Sequence, residues 1–276
     1  PEDIAPLNTD DLVLSDFDGT ISLIDTGIAV IDGLKLEGAW DIEYMWRRGE
    51  ISSMECLARQ WEMVKLPPAE LYEFIDALRL DPWFHDFLTL VHERQAGIAV
   101  LSDGLDFYVD RLLASAGLRV CQDDTQLRDP DCLVRFANAA TITEEGIQIT
   151  FPHCNECGQC GNCKVEHLFR LRQGFRRVIY IGDGHSDLCA ARYADVIFAK
   201  DALAEIVAVP VWLSPEHPYP PAFGLEPVIP HRRGHVVGLV HPRPVDVVGG
   251  EFGQVVNISL LQADLADVHQ RVQMRG

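Results

Sequence analysis

Four short stretches of this 276-residue chain carry side chains that could do chemistry together. The first, DFDGT at 16–20, sets Asp16 and Asp18 two residues apart at the end of an apolar run. Alternate residues on extended backbone project to the same side, so both carboxylates face one region, and Gly19 permits a tight turn whose amides approach a bound anion. The second, LSDGL, puts Ser102, Asp103 and Gly104 at the end of another apolar run, a hydroxyl and amides suited to holding an oxyanion. The third, GDGHSD at 182–187, adds Asp183 and Asp187. Carboxylates gathered without enough protein cations to neutralise them are oxygen ligands of the kind Mg2+ takes. Lys164 is one of four lysines in the chain and precedes the third run, where it can supply a fixed positive charge. Singly, each has a plainer reading as an Asp/Gly turn, a polar strand end or a solvated helix-end lysine.

Immediately before Lys164, the stretch HCNECGQCGNCK spaces Cys154, Cys157, Cys160 and Cys163 three apart. Two readings stay open. The four thiols hold a structural Zn2+, although zinc sites usually draw on two separated Cys pairs, or they are reduced or disulfide-linked thiols bracing the loop that delivers Lys164.

The elements that must position these residues follow from pattern. DLVLSD (11–16), GIAVLS (97–102), RVIYIG (177–182) and DVIFA (195–199) are short, apolar and rich in β-branched residues, as buried parallel strands are. Helical patterns separate them, which predicts an α/β fold: a Rossmann-like, mostly parallel sheet with helices on both faces. In such sheets ligands bind beyond the carboxyl ends of the strands, where the three turns lie. Residues 22–85 have no strand pattern. Ser52 or Ser53 can cap ISSMECLARQWEMV, and Pro67 and Pro68 open PPAELYEFIDALR, so this stretch is expected to be a small inserted helical cap. The catalytic core is then 1–21 and 86–209. LVRFANAATI and GIQITF, joined by TEEG, predict a β-hairpin, and KVEHLFRLRQG a helix beginning near Lys164. Residues 210–276 hold nine of the sixteen prolines and five of the ten histidines, and are expected to form a C-terminal extension with one candidate helix, ISLLQADLADVHQRV.

The net charge of −19 argues against nucleic acid or an anionic membrane as a partner, since both demand basic patches. An anionic substrate would need a bound cation to offset that field. No apolar stretch approaches the length of a membrane span and no signal-peptide pattern is present, so a cytoplasmic protein is expected; the sequence leaves the oligomeric state open, a homodimer included.

In combination and in this order, DxDGT, a strand-end Ser, a Lys and GDGxSD resemble the four motifs of the haloacid dehalogenase-like hydrolases. Asp18 places the resemblance among the phosphatases, because dehalogenases lack the second aspartate. The helical insertion between the first two motifs, and Asp25 nine residues after Asp16, resemble the phosphoserine phosphatase-like branch. LSDGLDFYVDRLL, GIQITFPH, CGNCK and FAKDAL look most like the methionine-salvage phosphatases of 2-hydroxy-3-keto-5-methylthiopentenyl-1-phosphate and their relatives. The likeness spans about residues 10–208 and implies a small phosphorylated metabolite as substrate. It implies Asp16 as nucleophile, Asp18 as acid and base, and Ser102, Asp103, Gly104 and Lys164 around the phosphate. It also implies Mg2+ on Asp16, Asp18, Asp183 and Asp187, and Asp25 on the substrate side. One departure stands out: these relatives commonly have SGG where this chain has Ser102-Asp103-Gly104, which sets a carboxylate beside the phosphate position. Other small phosphometabolites, phosphoserine among them, fit the same motifs. A reading of another class makes the chain a cysteine-cluster metal sensor on a phosphatase-like scaffold.

Overall fold

The computed structural model describes residues 5–207 together with the backbone of strand 235–238. The chain begins with β1 (Asp11–Ser15), then runs through four helices, α1 (Thr26–Gly33), α2 (Ala39–Arg47), α3 (Ser53–Glu62) and α4 (Pro68–Asp76). Helix α5 (Phe84–Glu93) leads back to β2 (Gly97–Leu105), and α6 (Asp106–Ser115) to β3 (Val120–Cys121), β4 (Leu133–Thr143) and β5 (Gly146–Thr150). The cysteine loop follows, then α7 (Lys164–Leu171), β6 (Arg177–Gly182), α8 (Leu188–Ala191), β7 (Val196–Ala199), α9 (Asp201–Val207) and β8 (His235–Gly238). The strand order is β3-β4-β2-β1-β6-β7-β8, with every neighbouring pair parallel and β5 paired antiparallel to β4. The expected α/β architecture with a mostly parallel sheet is therefore present.

Side-chain alternation explains why both faces are covered. All five residues of β1 are buried. Val13 enters one apolar cluster with Ile98, Val100 and Ile179, while Leu12 and Leu14 enter the opposite cluster with Ala99, Leu101, Val178 and Tyr180. The first cluster continues into Val30, Trp61, Leu71 and Ile75 of α1, α3 and α4, so these helices pack on the same core as the sheet. The second takes in Leu168 and Leu171 of α7, Ala190 and Ala191 of α8, and Leu203 and Val207 of α9.

Local chemistry sets the helix starts. Asp25 caps α1 by accepting the Ile28 N–H at 2.9 Å, and Ser52 caps α3 by accepting the Glu55 N–H at 3.1 Å. Ser53, the other candidate cap, instead turns into the interior and is 5 % exposed. Pro68 occupies the first turn of α4, where a missing N–H costs nothing.

The hairpin forms as expected, but its first strand has two jobs. The first six residues of β4 are buried and pair in parallel with β2, from Ala99↔Val134 onward, whereas its more exposed far half pairs with β5. The two-residue β3 was not foreseen; it is too short for a periodic signal. Cys121 on β3 and Cys132 just before β4 form a disulfide, and among the described residues the other six cysteines are free thiols. Of the C-terminal extension, β8 adds a strand beyond β7. The candidate helix at 258–272 and the tail histidines other than the backbone of His235 lie outside the described residues. Among those described, no helix is long and apolar enough to cross a membrane.

The α7 face of the sheet contains a buried histidine with a demanding protonation state. His167 stacks on Phe136 at 4.4 Å between centroids, its Nε2 lies 2.6 Å from Asn162 Oδ1, and its Nδ1 lies 3.0 Å from an Arg170 guanidinium nitrogen. Arg170 can only donate, so Nδ1 accepts and Nε2–H donates to Asn162, which is the neutral ring. Burial first, then the neighbouring His153 and Arg170, push His167 down to about 3. The unfolded chain protonates near 6.5, so between these values the unfolded state binds more protons and stability falls as pH falls, by at most about 1.4 kcal/mol per pH unit. Urea midpoints measured from pH 7 to pH 4 are expected to show a flatter profile in His167→Gln than in the parent. Equal slopes would rule out His167 as the linked group.

Candidate active site

Strands β2, β1 and β6 are adjacent, so the turns leaving their carboxyl ends converge. Asp16 stays on the sheet for one more hydrogen bond, its N–H donating to the Ile181 carbonyl at 2.8 Å, and is 4 % exposed. Lys164 opens α7 below it and is 3 % exposed. Its Nζ lies 2.7 Å from Asp16 Oδ1, 2.7 Å from Asp187 Oδ1 and 3.1 Å from Ser186 Oγ, so all three of its donors are engaged. Asp187 is fully buried. Its Oδ1 also accepts the Tyr180 hydroxyl at 2.6 Å, and its Oδ2 accepts the N–H groups of Asp183 (3.1 Å) and Gly184 (3.0 Å). That carboxylate therefore ties the lysine to the third turn. Thr20 Oγ1 donates to Asp183 Oδ1 at 2.8 Å. Between these groups Gly19 has φ +71°, and a Cβ there would sit 2.5 Å from Asp183 Oδ2, so conformation and space both require glycine.

Asp16, Asp183 and Asp187 offer carboxylate oxygens within 4.8 Å of one another, the one such cluster of potential metal ligands among the described residues. Burial, then the charge of Asp187, hold Asp16 well above the usual carboxylate range despite Lys164 beside it. Burial and Asp187 push Asp183 up to about 7. Burial opposes the charge on Lys164, but Asp16 and Asp187 outweigh it and keep the ammonium protonated. Two buried carboxylates and the half-buried Asp183 against one ammonium leave an excess of negative charge on hard oxygen donors, which suits a divalent cation such as Mg2+.

Asp18 points toward β2 and α6. Its Oδ1 accepts the Thr26 N–H at 3.0 Å, and its Oδ2 accepts the Tyr108 hydroxyl at 2.8 Å and Ser102 Oγ at 3.2 Å. Burial raises its pKa, and these donors pull part of the way back. Gly104 donates its N–H to Ser102 Oγ at 3.0 Å, and a Cβ on it would lie 1.7 Å from the Tyr108 hydroxyl. Only glycine lets the tyrosine reach Asp18. Tyr108, Thr20, Thr26 and Tyr180 are absent from the sequence reading. Strand parity could have found Tyr180, which shares a face with Leu12 and Leu14; Tyr108 sits in the first turn of α6, where chain direction alone does not aim it.

The structure thus brings together Asp16, Asp18, Ser102, Gly104, Lys164, Asp183 and Asp187. Asp103 differs from expectation. Its carboxylate accepts the Asn162 N–H at 2.9 Å and faces the cysteine loop, while Asn138 donates to its carbonyl at 2.7 Å, so it hydrogen-bonds neither Asp16 nor Lys164. The side chain following Ser102 on a strand leaves by the opposite face, which turns Asp103 toward the cysteine loop. Asp25 spends its carboxylate capping α1, yet stands near enough to Asp18 and Asp183 to feel their charges. From α2, Trp46 lies 6.2 Å from the His185 ring, and the buried Glu43 accepts from Arg47 at 2.8 Å.

The cysteines do not assemble as a zinc site. Cys154 is exposed, whereas Cys163 is buried in the apolar cluster under α7, where burial pushes its thiol up to about 11. Asn155 Nδ2 lies 3.0 Å from Cys163 Sγ, and the Cys163 N–H donates to the His153 carbonyl at 3.0 Å. Such contacts hold the loop without a metal, and the Zn2+ expectation is not supported.

Comparison with known proteins agrees with this geometry. The family model for haloacid dehalogenase-like hydrolases matches residues 13–192. The 2-hydroxy-3-keto-5-methylthiopentenyl-1-phosphate phosphatase of Bacillus thuringiensis (strain Al Hakam) is 28 % identical over 199 residues, covering 69 % of this chain and 84 % of that protein. A haloacid dehalogenase-family hydrolase of Salmonella enterica subsp. enterica serovar Typhi superposes with a TM-score of 0.55 at 23 % identity, covering 72 % of this chain and 66 % of that one. A phosphoserine phosphatase carrying a phospho-aspartyl intermediate analogue gives 0.53 at 19 % identity, covering 70 % and 87 %. With a family match over more than half its length and the four converging motifs, the chain belongs to the haloacid dehalogenase-like hydrolases and is a phosphatase of that family.

Proposed function

We propose that this phosphatase hydrolyses a small-molecule phosphomonoester in two steps on Asp16, with 2-hydroxy-3-keto-5-methylthiopentenyl-1-phosphate as the substrate the relatives favour. The observation that supports the reaction is the second carboxyl, Asp18, two residues from the nucleophile and held by the Thr26 N–H, Tyr108 and Ser102. An Asp16 oxygen attacks phosphorus in line, forming an aspartyl-phosphate as the bond to the alcohol oxygen breaks, and the Asp18 proton goes to that departing oxygen. The Asp18 carboxylate then takes a proton from the water that attacks the aspartyl-phosphate. Phosphate leaves and both aspartates are restored. In this reading Ser102 Oγ and Lys164 Nζ bind the phosphoryl oxygens, the lysine exchanging one of its present contacts for a phosphoryl oxygen. Asp16, the Asp18 carbonyl and Asp183 would hold Mg2+, which when bound supplies positive charge against the phosphoryl oxygens. Asp187 serves by fixing Lys164 and the third turn. The division into a core of 1–21 and 86–209 and a cap of 22–85 fits α1–α4 lying between β1 and α5. In this reading the cap faces the leaving group with Asp25 and the Trp46–His185 contact.

Asp16→Asn is expected to abolish Mg2+-dependent phosphate release from p-nitrophenyl phosphate with an unchanged circular dichroism spectrum, and chelation of the parent enzyme to do the same. Full activity in that variant would remove Asp16 as nucleophile. In a panel of phosphometabolites, the methylthiopentenyl 1-phosphate is expected to give the highest kcat/KM; a preference for phosphoserine would move the substrate assignment and leave the chemistry intact.

The Tyr108 hydroxyl donates to Asp18 and so favours its charged form. Tyr108→Phe is therefore expected to raise the Asp18 pKa further. Because the acid must be protonated to act, the basic limb of the kcat/KM profile should move to higher pH. A limb that stays in place or moves down would count against Asp18 as the acid.

A further inference from the structure

The cysteine loop takes no part in the proposed chemistry, yet three separate parts of the molecule meet on it. Ser53 arrives from α3. Its N–H donates to the Gln159 carbonyl at 2.9 Å and its Oγ accepts the Gly161 N–H at 2.9 Å, and its hydroxyl lies near enough to the Asp103 carboxyl to oppose the rise that burial gives that group's pKa. Asp103 arrives from the end of β2 and accepts the Asn162 N–H at 2.9 Å. Asn162, 1 % exposed, belongs to the loop, and its side-chain amide donates to the Ser102 carbonyl at 2.7 Å and the Phe136 carbonyl at 2.9 Å. Two residues later comes Lys164. Hydrogen bonds therefore tie a helix of the 22–85 segment to the loop at Gln159 and Gly161, and the adjoining Asn162 ties the loop to Asp103 and to the backbone of Ser102, just before α7 begins.

A carboxylate is suited to this junction in a way glycine is not. It accepts from several donors at once, and charge-assisted hydrogen bonds in a buried setting are shorter and stronger than neutral ones. Here the Asn162 N–H of the loop donates to it, with the Ser53 hydroxyl of α3 close by. Deleting either side leaves a buried polar group unpaired, which costs more than the bond itself contributes.

We propose that Ser53 and Asp103 are positioning residues that clasp helix α3 onto the cysteine loop and thereby set the placement of Ser102 and Lys164. The proposal rests on the phosphate-binding roles assigned above to those two residues. It accounts for the aspartate in the second motif and for the cysteine loop, which is the clasp's landing surface. Neither positioning residue touches the substrate.

The test uses the full chain with Mg2+ and three readouts: kcat/KM on p-nitrophenyl phosphate, calorimetric binding of inorganic phosphate, and the rate at which a thiol reagent labels Cys157 and Cys160 in the native protein. In Ser53→Ala, kcat/KM and phosphate affinity are each expected to fall by about tenfold, and labelling to speed up by a similar factor, with an unchanged circular dichroism spectrum. Ser53→Thr retains the hydroxyl and is expected to recover most of all three, a rescue that a loss of general stability would not produce. Parent-like values in Ser53→Ala, or a Ser53→Thr no better than Ser53→Ala, would overturn the proposal. If Ser53→Ala does not fold, Asp103→Asn is read instead: faster labelling with weaker phosphate binding supports the clasp, and parent values overturn it. Phosphate binding and labelling need no turnover, so a protein that hydrolyses no phosphomonoester would defeat the phosphatase mechanism while these two readouts still decide the clasp.

Discussion

The buried ammonium of Lys164 between Asp16 and Asp187 is the interaction on which the rest of the site depends. Taking charges out of water costs several kcal/mol each unless they are paired in good geometry. Here the lysine spends every donor on acceptors from the third turn and the first, and Asp187 is closed off by Tyr180 and two backbone amides. One cation cannot neutralise Asp16, Asp183 and Asp187 together, and the leftover negative charge on oxygen donors suits a divalent ion. In a chain of net charge −19, no diffuse surface field would attract an anionic ligand; any such attraction must be local.

The sheet explains how residues 16, 102, 164 and 183 meet. Strands β2, β1 and β6 are neighbours, so their turns open on one crevice. Alternation then sends Leu12, Leu14, Tyr180 and Leu101 to the face that α7 covers, and the lysine at the head of α7 rises on that side. The other face shares its apolar cluster with Trp61, Leu71 and Ile75 of the inserted helices. Packing of the insertion on the sheet is thus continuous with the packing under the catalytic turns, and the Ser53 contact adds a polar tie at the rim.

Several features were hidden from a linear reading for identifiable reasons. Ser52 and Ser53 are equivalent as helix caps by residue type; which one caps and which turns inward depends on the Gln159 and Gly161 groups more than a hundred residues away. Asp103 follows Ser102 in the second motif yet turns toward the cysteine loop, because its partners are Asn162 and Asn138. Tyr108 reaches Asp18 only because Gly104 leaves room. The even spacing of four cysteines suggested a metal box, but Cys163 is drawn into the apolar cluster under α7 and the loop is held by asparagine side chains and backbone.

What the amino-acid sequence determined by itself was the α/β class, the helical insertion, and the order of Asp16, Asp18, Ser102, Lys164 and Asp183. These rest on short-range rules: apolar runs of strand length, turn residues at their ends, and charged side chains too costly to place there without use. Only the tertiary structure decided how β4 divides between two partners, where Asp103 and Ser53 point, and what the cysteine loop holds. Those outcomes depend on hydrogen bonds between groups far apart in the chain, and a buried polar group takes whichever partner the fold brings within reach.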